Sequence, residues 1–475
     1  MENMSNVTLF SSLNSVTMPW LTRNESTTSW EPSGLSEGAH SGKLPTRIFE
    51  LVLILSLMVI QCGLMHPKFE GSSSARLTRL SLGPLIIGWW ACYPFRLPVV
   101  PLEERNILPG FIAAMMIFKA VEWTFDAGPY RLRSLTKSAD GRPVWQKEAT
   151  SDKLAPEKDT PSGLGDFVLW IFLQFGAQRG FRWSWGPAAK GNESSFLRAF
   201  LEVVRLHLVL LPCLGFVLYS QDFTTYSFDS RKALISLGVP SFPGLGLLAC
   251  GLHSMCAMFV ISTSIEMMSS VPALLSYPLY PLLKRTRLPP NLVELVNPVN
   301  FPPQFGPMFE LSSLAHFWGK TWHQKFRRPF LFCGGKPAMS LARALGGSTN
   351  VQKVCGVMGV FALSGLFHEY PMYAFQREPH PYPRELFKTL PASFLFFFVQ
   401  SFGLILEPFI IPHIPKRLGG AKLWTCAFLF LTAPLFTRDI CRPPGMFGQY
   451  RHPQQWTWLD LVIPAPLAAR ILSTK

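Results

Sequence analysis

Two histidines carry the residue types and settings from which a reaction could be built. His368 stands in Ser364-Gly365-Leu366-Phe367-His368-Glu369, within a run apolar enough to enter a bilayer, and His323 ends Phe317-Trp318-Gly319-Lys320-Thr321-Trp322-His323. An ionisable group at membrane depth is costly to keep, so its default reading is functional. Near neutral pH an imidazole can take the proton of a hydroxyl, which is what acyl transfer to an alcohol requires. The bland alternative for His368 is a satisfied interfacial imidazole beside Glu369. No Gly-x-Ser-x-Gly elbow accompanies the histidines, which argues against a serine acyl-enzyme.

The elements that must position these groups read as helices. From Leu311 to Arg327, the residues Leu311, Leu314, Ala315, Trp318, Trp322 and Phe326 recur at steps of three and four, making one apolar aromatic stripe. His316, Lys320, His323 and Arg327 recur at the same steps on another face. The pattern predicts an interfacial amphipathic helix with tryptophans at headgroup depth, and a plain membrane-surface anchor has the same geometry. The adjacent Arg327 and Arg328 suit a phosphate-bearing cosubstrate. In Val351–Tyr373, Gly356, Gly359, Ala362 and Gly365 recur every three residues, a face that another helix can approach closely. A span starting near Val354 puts His368 roughly 21 Å along it, and Pro371 is expected to end or kink the helix.

Composition sets the environment. The chain has 475 residues, 48% hydrophobic and 15% charged, with mean hydropathy +0.22, whereas soluble domains average about 25% charged. Apolar runs fall at Ile48–Met65, Leu80–Phe95, Ile107–Phe125, Phe167–Phe175, Leu197–Tyr219, Phe242–Met268, Val351–Tyr373, Pro391–Ile411, Leu423–Phe436 and Leu459–Leu472. The expectation is an all-α, polytopic integral membrane protein of about eight to ten spans. It divides into a polar N-terminal tail, 1–44, and one membrane-embedded domain, 45–475. That domain carries a cytoplasmic insert at about 130–165 and an interfacial loop at about 284–350. The net charge of +15 sits in the links between apolar runs, as the positive-inside rule describes, and no basic block is long enough for nucleic acid.

The nine cysteines show no C-x-x-C and no zinc spacing, so neither a metal nor a disulfide framework is expected. The tail holds candidate glycosylation sequons at Asn3, Asn6 and Asn24, whose use would put the N-terminus in the lumen. With Phe167–Phe175 re-entrant, the link bearing Lys68, Arg76 and Arg79 and the loop Lys284–Lys353 then face the cytoplasm, and a sequon at Asn192 goes unused. Lys119 and Glu122, three apart in a span, read as a pair. Glu266 and Glu407 read as helix-end residues, and Glu202, Arg205 and His207 as interfacial. The halves show no repeat of the kind common in inverted-repeat transporters.

Three segments in order and spacing resemble one family: Asn297-Pro298-Val299-Asn300-Phe301-Pro302-Pro303-Gln304-Phe305-Gly306, Ser312-Ser313-Leu314-Ala315-His316-Phe317-Trp318-Gly319-Lys320-Thr321-Trp322-His323-Gln324, and Ser364–Glu369. They are similar to the wax-synthase-like branch of the membrane-bound O-acyltransferases, of the fungal secondary-metabolite acetyltransferase type. Lys119-Ala120-Val121-Glu122-Trp123 and Arg179-Gly180-Phe181-Arg182-Trp183 add to the likeness. His316 departs from the pattern, which leads one to expect an acidic or polar residue there.

The resemblance implies a helical membrane enzyme of the endoplasmic reticulum with a reaction tunnel. Acyl-CoA, with acetyl-CoA preferred, enters from the cytoplasm as cosubstrate, a hydrophobic alcohol enters from the bilayer, and no cofactor or metal is held. His368 is then the essential residue and His323 the second catalytic group. Trp318, Trp322, Lys320, Arg327, Arg328 and Asn300 are expected around substrate or CoA. The expected activity is O-acyl transfer to a lipophilic secondary metabolite such as a terpenoid. A wax-ester synthase joining long-chain acyl-CoA to a fatty alcohol is the close alternative, and a membrane transporter the remote one.

Overall fold

The computed structural model describes residues 44–97, 107–132, 135–137, 143–145, 163–180, 182–186, 189–190, 192, 194–221, 229–306, 312–375 and 391–441. The sequons at Asn3, Asn6 and Asn24, the apolar run Leu459–Leu472, Leu311 and most of the 130–165 insert lie outside these residues.

The apolar runs become α-helices with bounds set by local chemistry. They are α1 (Leu44–Gly63), α2 (Ser73–Arg96), α3 (Leu108–Phe125), α4 (Leu164–Gly176), α5 (Phe196–Gln221), α6 (Ser230–Ser236), α7 (Leu245–Leu283) and α8 (Pro290–Val293). After them come α9 (Leu314–His316), α10 (Arg327–Phe330), α11 (Lys336–Ala344), α12 (Thr349–Phe375), α13 (Ala392–Ile410) and α14 (Ala421–Ile440). Ser72 caps α2, its hydroxyl accepting from Ala75 N at 3.2 Å. Gly244, at φ 90°, opens α7 in a conformation that disfavours a side chain.

Five helices among the described residues are long and apolar enough to cross a membrane: Leu108–Phe125, Phe196–Ser220, Leu245–Leu283, Thr349–Met372 and Ala392–His413. The expected span Phe242–Met268 is the first part of a helix of 39 residues that runs on through Pro272, Pro278 and Pro281. At 1.5 Å per residue that is about 58 Å, longer than a hydrocarbon core of about 30 Å. Likewise Pro371 does not end α12, which continues to Phe375. Residues 135–137, 143–145 and 189–190 form a small antiparallel sheet, with Leu135 opposite Trp145 and Val144 opposite Lys190, an addition to the all-α expectation.

Two apolar clusters make the core. One joins α5, α7, α12, α13 and α14 through residues such as Leu214, Val260, Phe361, Phe396 and Phe436. The other joins α1 to α4 through Met58, Ile86, Trp90, Trp123 and Trp170. Phe118 of α3 and Phe367 of α12 bridge them, packed against Phe326 and Phe330 from the segment that follows His323. The predicted small-residue face of α12 is used: a Cβ on Gly359 would lie 2.6 Å from the Gly334 carbonyl oxygen. The chain before α11 therefore touches α12 backbone to backbone.

Buried charges find partners far along the chain. Arg79, counted from sequence as a loop cation, is buried in α2 and its Nη1 donates to the carbonyls of Trp123 at 2.7 Å and Asp126 at 2.9 Å. Those are orphan carbonyls at the end of α3, where a cation is favoured. The expected Lys119–Glu122 pair is replaced by two other arrangements. Lys119 Nζ donates to the Ala177 carbonyl at 2.7 Å, while Glu122 accepts from Arg328 at 2.5 Å and from the Tyr130 hydroxyl at 2.8 Å.

Candidate active site

The segment 297–330 is not one helix. Asn297 opens it with a turn, its side-chain oxygen accepting from Val299 N at 3.1 Å. Ser313 caps α9 by accepting from His316 N at 2.9 Å. The chain then widens into a π-helical turn, Phe317–Thr321, closed by Trp322 N donating to the Phe317 carbonyl at 2.7 Å. At Trp322 the backbone turns extended, with φ −68° and ψ 150°. The predicted helix over 311–327 stops there because its carbonyls find other partners than the helix ladder: within the segment, the Gln324 side-chain amide donates to the carbonyls of Trp318 at 3.2 Å and Trp322 at 2.6 Å. Gly306 N donates to the Thr321 carbonyl at 2.9 Å, and a Cβ on Gly306 would lie 2.8 Å from the Lys320 oxygen, so only glycine permits this approach. The broken helix separates the face on which His316, Lys320, His323 and Arg327 were expected together.

Two carboxylates suspend this segment between the long helices. Glu266 of α7 accepts from the backbone N of Gln304 at 2.9 Å and of Phe305 at 3.1 Å. Glu407 of α13 is buried and accepts from Leu314 N at 2.5 Å, at the start of α9. Glu266 is thus a mid-helix residue of α7 rather than a helix-end one, while Glu407 does lie in the last turn of α13 but is buried and bonded to a distant backbone. A lone glutamate within an apolar run was the available signal, since such a charge needs a partner or a role. Arg179 adds a third tie, its Nη1 donating to the carbonyls of Pro302 at 3.1 Å and Pro303 at 2.7 Å.

The histidines come together from the two sides. His368 Nδ1 lies 2.7 Å from the Ser364 carbonyl oxygen, which can only accept. The neutral ring therefore carries its proton on Nδ1 and presents the Nε2 lone pair. The imidazole stacks on Phe397 of α13 with centroids 4.1 Å apart, and Phe367 and Phe436 close its sides at 5.0 and 5.5 Å. α12 begins at Thr349, so His368 lies roughly 28 Å along it rather than 21 Å.

His323 lies among Phe305, Trp322 and Phe326, with centroids 5.6, 5.4 and 5.8 Å away. Phe326 in turn packs on Phe367 at 4.6 Å, so one aromatic cluster spans both imidazoles. Burial lowers the His323 pKa to about 3, with the cations of Lys325 and Arg179 acting in the same direction. His323 is neutral at physiological pH, and its buried Nδ1 has no hydrogen-bond partner. An orphaned polar atom in one aromatic cluster with an imidazole held in a single tautomer is what a reacting oxygen could satisfy.

The other expected site residues divide. Trp318 reaches the interior, where its indole N–H donates to Gln400 Oε1 at 3.3 Å and its ring meets Phe361 and Phe397 at 5.7 and 6.0 Å. Trp322 packs on Phe305 at 5.1 Å. These tryptophans are core residues of the site, not headgroup anchors. Lys320 and Arg327 are exposed. Asn300 holds the turn, its amide donating to the Glu294 carbonyl at 2.5 Å. Arg328 is committed to carboxylates: it pairs with Glu122 at 2.5 Å and with Asp126, and its guanidinium covers the Trp185 ring at 4.6 Å. That is a structural junction between α3 and α10 rather than a free phosphate site.

Residues 301–399 match the membrane bound O-acyl transferase family. An O-mevalon transferase of Penicillium terrestre is 28% identical over 235 residues, covering 48% of this chain and 50% of that protein. An acetyltransferase of Aspergillus fumigatus is 27% identical over 165 residues, 30% of this chain and 26% of that one. An acetyltransferase of Emericella nidulans is 36% identical over 76 residues, 16% and 17% of the two chains. The chain spans about half or less of the length of the curated relatives it matches. The matched stretch contains both histidines.

Proposed function

We propose that this chain, a multi-pass membrane protein of the membrane-bound O-acyltransferase type, moves an acyl group from an acyl-CoA to the hydroxyl of a lipophilic secondary metabolite. Acetyl-CoA is the preferred donor and a terpenoid-like alcohol the preferred acceptor, in the endoplasmic reticulum. The reading includes eight to ten spans around a tunnel. The observation that carries it is the pair of imidazoles: His368 with its lone pair set by Ser364, and neutral His323 with an orphaned nitrogen in the same aromatic cluster.

In the proposed step, His368 Nε2 takes the hydroxyl proton as the acceptor oxygen attacks the thioester carbonyl. His323 donates a hydrogen bond to the developing oxyanion. Collapse of the tetrahedral species breaks the carbon–sulfur bond, and the thiolate of CoA leaves with the proton returned by His368. A positioned base contributes about 10² to 10⁴ in rate. The phenylalanines around His368 exclude water, which strengthens these interactions and limits thioester hydrolysis.

Microsomes carrying the full chain, incubated with labelled acyl-CoAs from acetyl to palmitoyl and a panel of lipophilic alcohols, test the reading. Ester formation favouring acetyl supports it. Ester formation only with long acyl chains and fatty alcohols would make the protein a wax-ester synthase. Uptake of unmodified substrate without ester would refute acyl transfer.

A further inference from the structure

On the far side of Phe305 from His323 lies a cavity of about 840 Å³, bounded by α5, α7 and the turn 301–306. Phe305 belongs to its wall. The same ring stands edge-on to His323, with centroids 5.6 Å apart and planes at 88°, and edge-on to Trp322 at 5.1 Å. One phenyl ring thus lies between a large chamber and the imidazole at which the reaction is placed.

The backbone under that ring is held from three directions. Glu266 accepts from the N–H of Phe305 and of Gln304, and Ser269 and Ser270 donate to its other oxygen at 3.4 Å. Arg179 holds the carbonyls just before, at Pro302 and Pro303. Just after, Gly306 is locked against the Thr321 carbonyl. With the main chain fixed, the size of the side chain at 305 decides how much of the chamber communicates with His323.

The chamber's chemistry indicates its occupant. Leu206, Phe259 and Phe301 give it an apolar wall. The hydroxyls of Ser262 and Thr263 are engaged with the Phe259 carbonyl at 3.1 and 2.7 Å. Arg205 is neutralised by Glu202 at 2.5 Å, so among the described lining residues Arg198 is the one cation outside an ion pair. That suits a drug-sized lipophilic molecule, whose pockets run to about 300–1,000 Å³. The several phosphate charges of a CoA would call for more cations.

We propose that Phe305 is a specificity-determining partition that limits the size of the alcohol able to present its hydroxyl at His323, and that Glu266 is the positioning residue that fixes it. The proposal rests on the acyl-transfer reading. Glu266 acts through the backbone of 304–305 and touches no reacting atom.

The test measures, in microsomes with labelled acetyl-CoA, the ratio of kcat/KM for a polycyclic alcohol to that for a short-chain alcohol. This ratio does not depend on how much protein is folded. Phe305→Ala is expected to raise it by about tenfold or more and Phe305→Trp to lower it, the scale of selectivity that hydrophobic contacts in a pocket supply. Phe305→Leu should move it in the same direction as alanine, and serves if the alanine variant does not accumulate. Glu266→Gln keeps an oxygen acceptor for both amides and should preserve the ratio, whereas Glu266→Ala should shift it toward that of Phe305→Ala. Active variants with an unchanged ratio, or a change confined to acyl-chain preference, would overturn the partition. A wild-type chain that acylates no alcohol would overturn the acyl-transfer reading and the partition with it.

Discussion

Replacing Arg328 with alanine is expected to destabilise the protein without weakening its hold on acyl-CoA. The guanidinium donates to Glu122 at 2.5 Å, to Asp126 and to the Trp185 carbonyl at 3.2 Å, and covers the Trp185 ring at 4.6 Å. The Glu122 side chain is only 8% exposed and that of Arg328 19%. Truncation leaves the Glu122 carboxylate buried with the Tyr130 hydroxyl as its remaining donor at 2.8 Å. Removing one partner of a buried pair costs about 3–5 kcal/mol, and losing the cation over the indole adds about 0.5–1 kcal/mol. Asp126, at 24% side-chain exposure, can recover some of this from water. A net cost of about 4 kcal/mol, set against an unfolding entropy of about 2.1 cal/mol/K per residue, lowers Tm by roughly 4 °C if the chain unfolds as one unit.

Thermal unfolding of the detergent-purified protein can be followed with a thiol-reactive dye, because the Cys62 thiol is in no disulfide and is buried in the folded protein. The double variant Arg328→Met with Glu122→Gln should lose less than the sum of the single changes, since neither then leaves a buried charge alone. The apparent KM for acetyl-CoA should stay within about twofold in all of these variants, given that the interaction lost is internal. An unchanged Tm together with a KM raised about tenfold would refute this reasoning and return Arg328 to the phosphates.

His368→Ala should lower turnover by about 10² to 10⁴ while the protein still inserts and survives extraction; residual activity within a factor of a few of wild type would remove His368 from the base role. The His323 pKa, near 3 in the folded protein against 6.5 unfolded, makes the unfolded chain bind the extra proton between those values. Its contribution to stability is therefore complete above pH 6.5 and falls on acidification, by up to about 1.4 kcal/mol per pH unit. His323→Gln should flatten the decline in Tm between pH 6.5 and 5, and an identical slope in the variant would count against the burial argument. In sealed microsomes, a protease-site tag at residue 290 should be cleaved from outside and one at residue 10 protected. A protected tag at 290 would place the loop 284–350 in the lumen and require a different route for CoA.

The sequence by itself determined the helical, membrane-embedded class and the approximate bounds of most helices. Those properties follow from runs of side chains that cannot remain in water and from a backbone that must pair internally in lipid. The expected run Ile107–Phe125 became Leu108–Phe125, and the glycine face of Gly356, Gly359 and Gly365 was used as its spacing indicated. It also singled out His368 and His323 as candidates, because an ionisable group in an apolar run is costly to keep. Only the tertiary structure decided where the helix carrying the Trp-His pair must break and which partner each buried polar group takes. Arg328 meets Glu122 across 206 residues, Trp318 meets Gln400 across 82, and Glu266 and Glu407 reach the backbone amides of Phe305 and Leu314 across 39 and 93. Local sequence states that a buried donor or acceptor needs a partner, but long-range packing selects it. The three- and four-residue spacing from Leu311 to Arg327 described a regular helix, and the Gly306 bond to Thr321, together with the local Gln324 side-chain bonds to the Trp318 and Trp322 carbonyls, outweighed that preference.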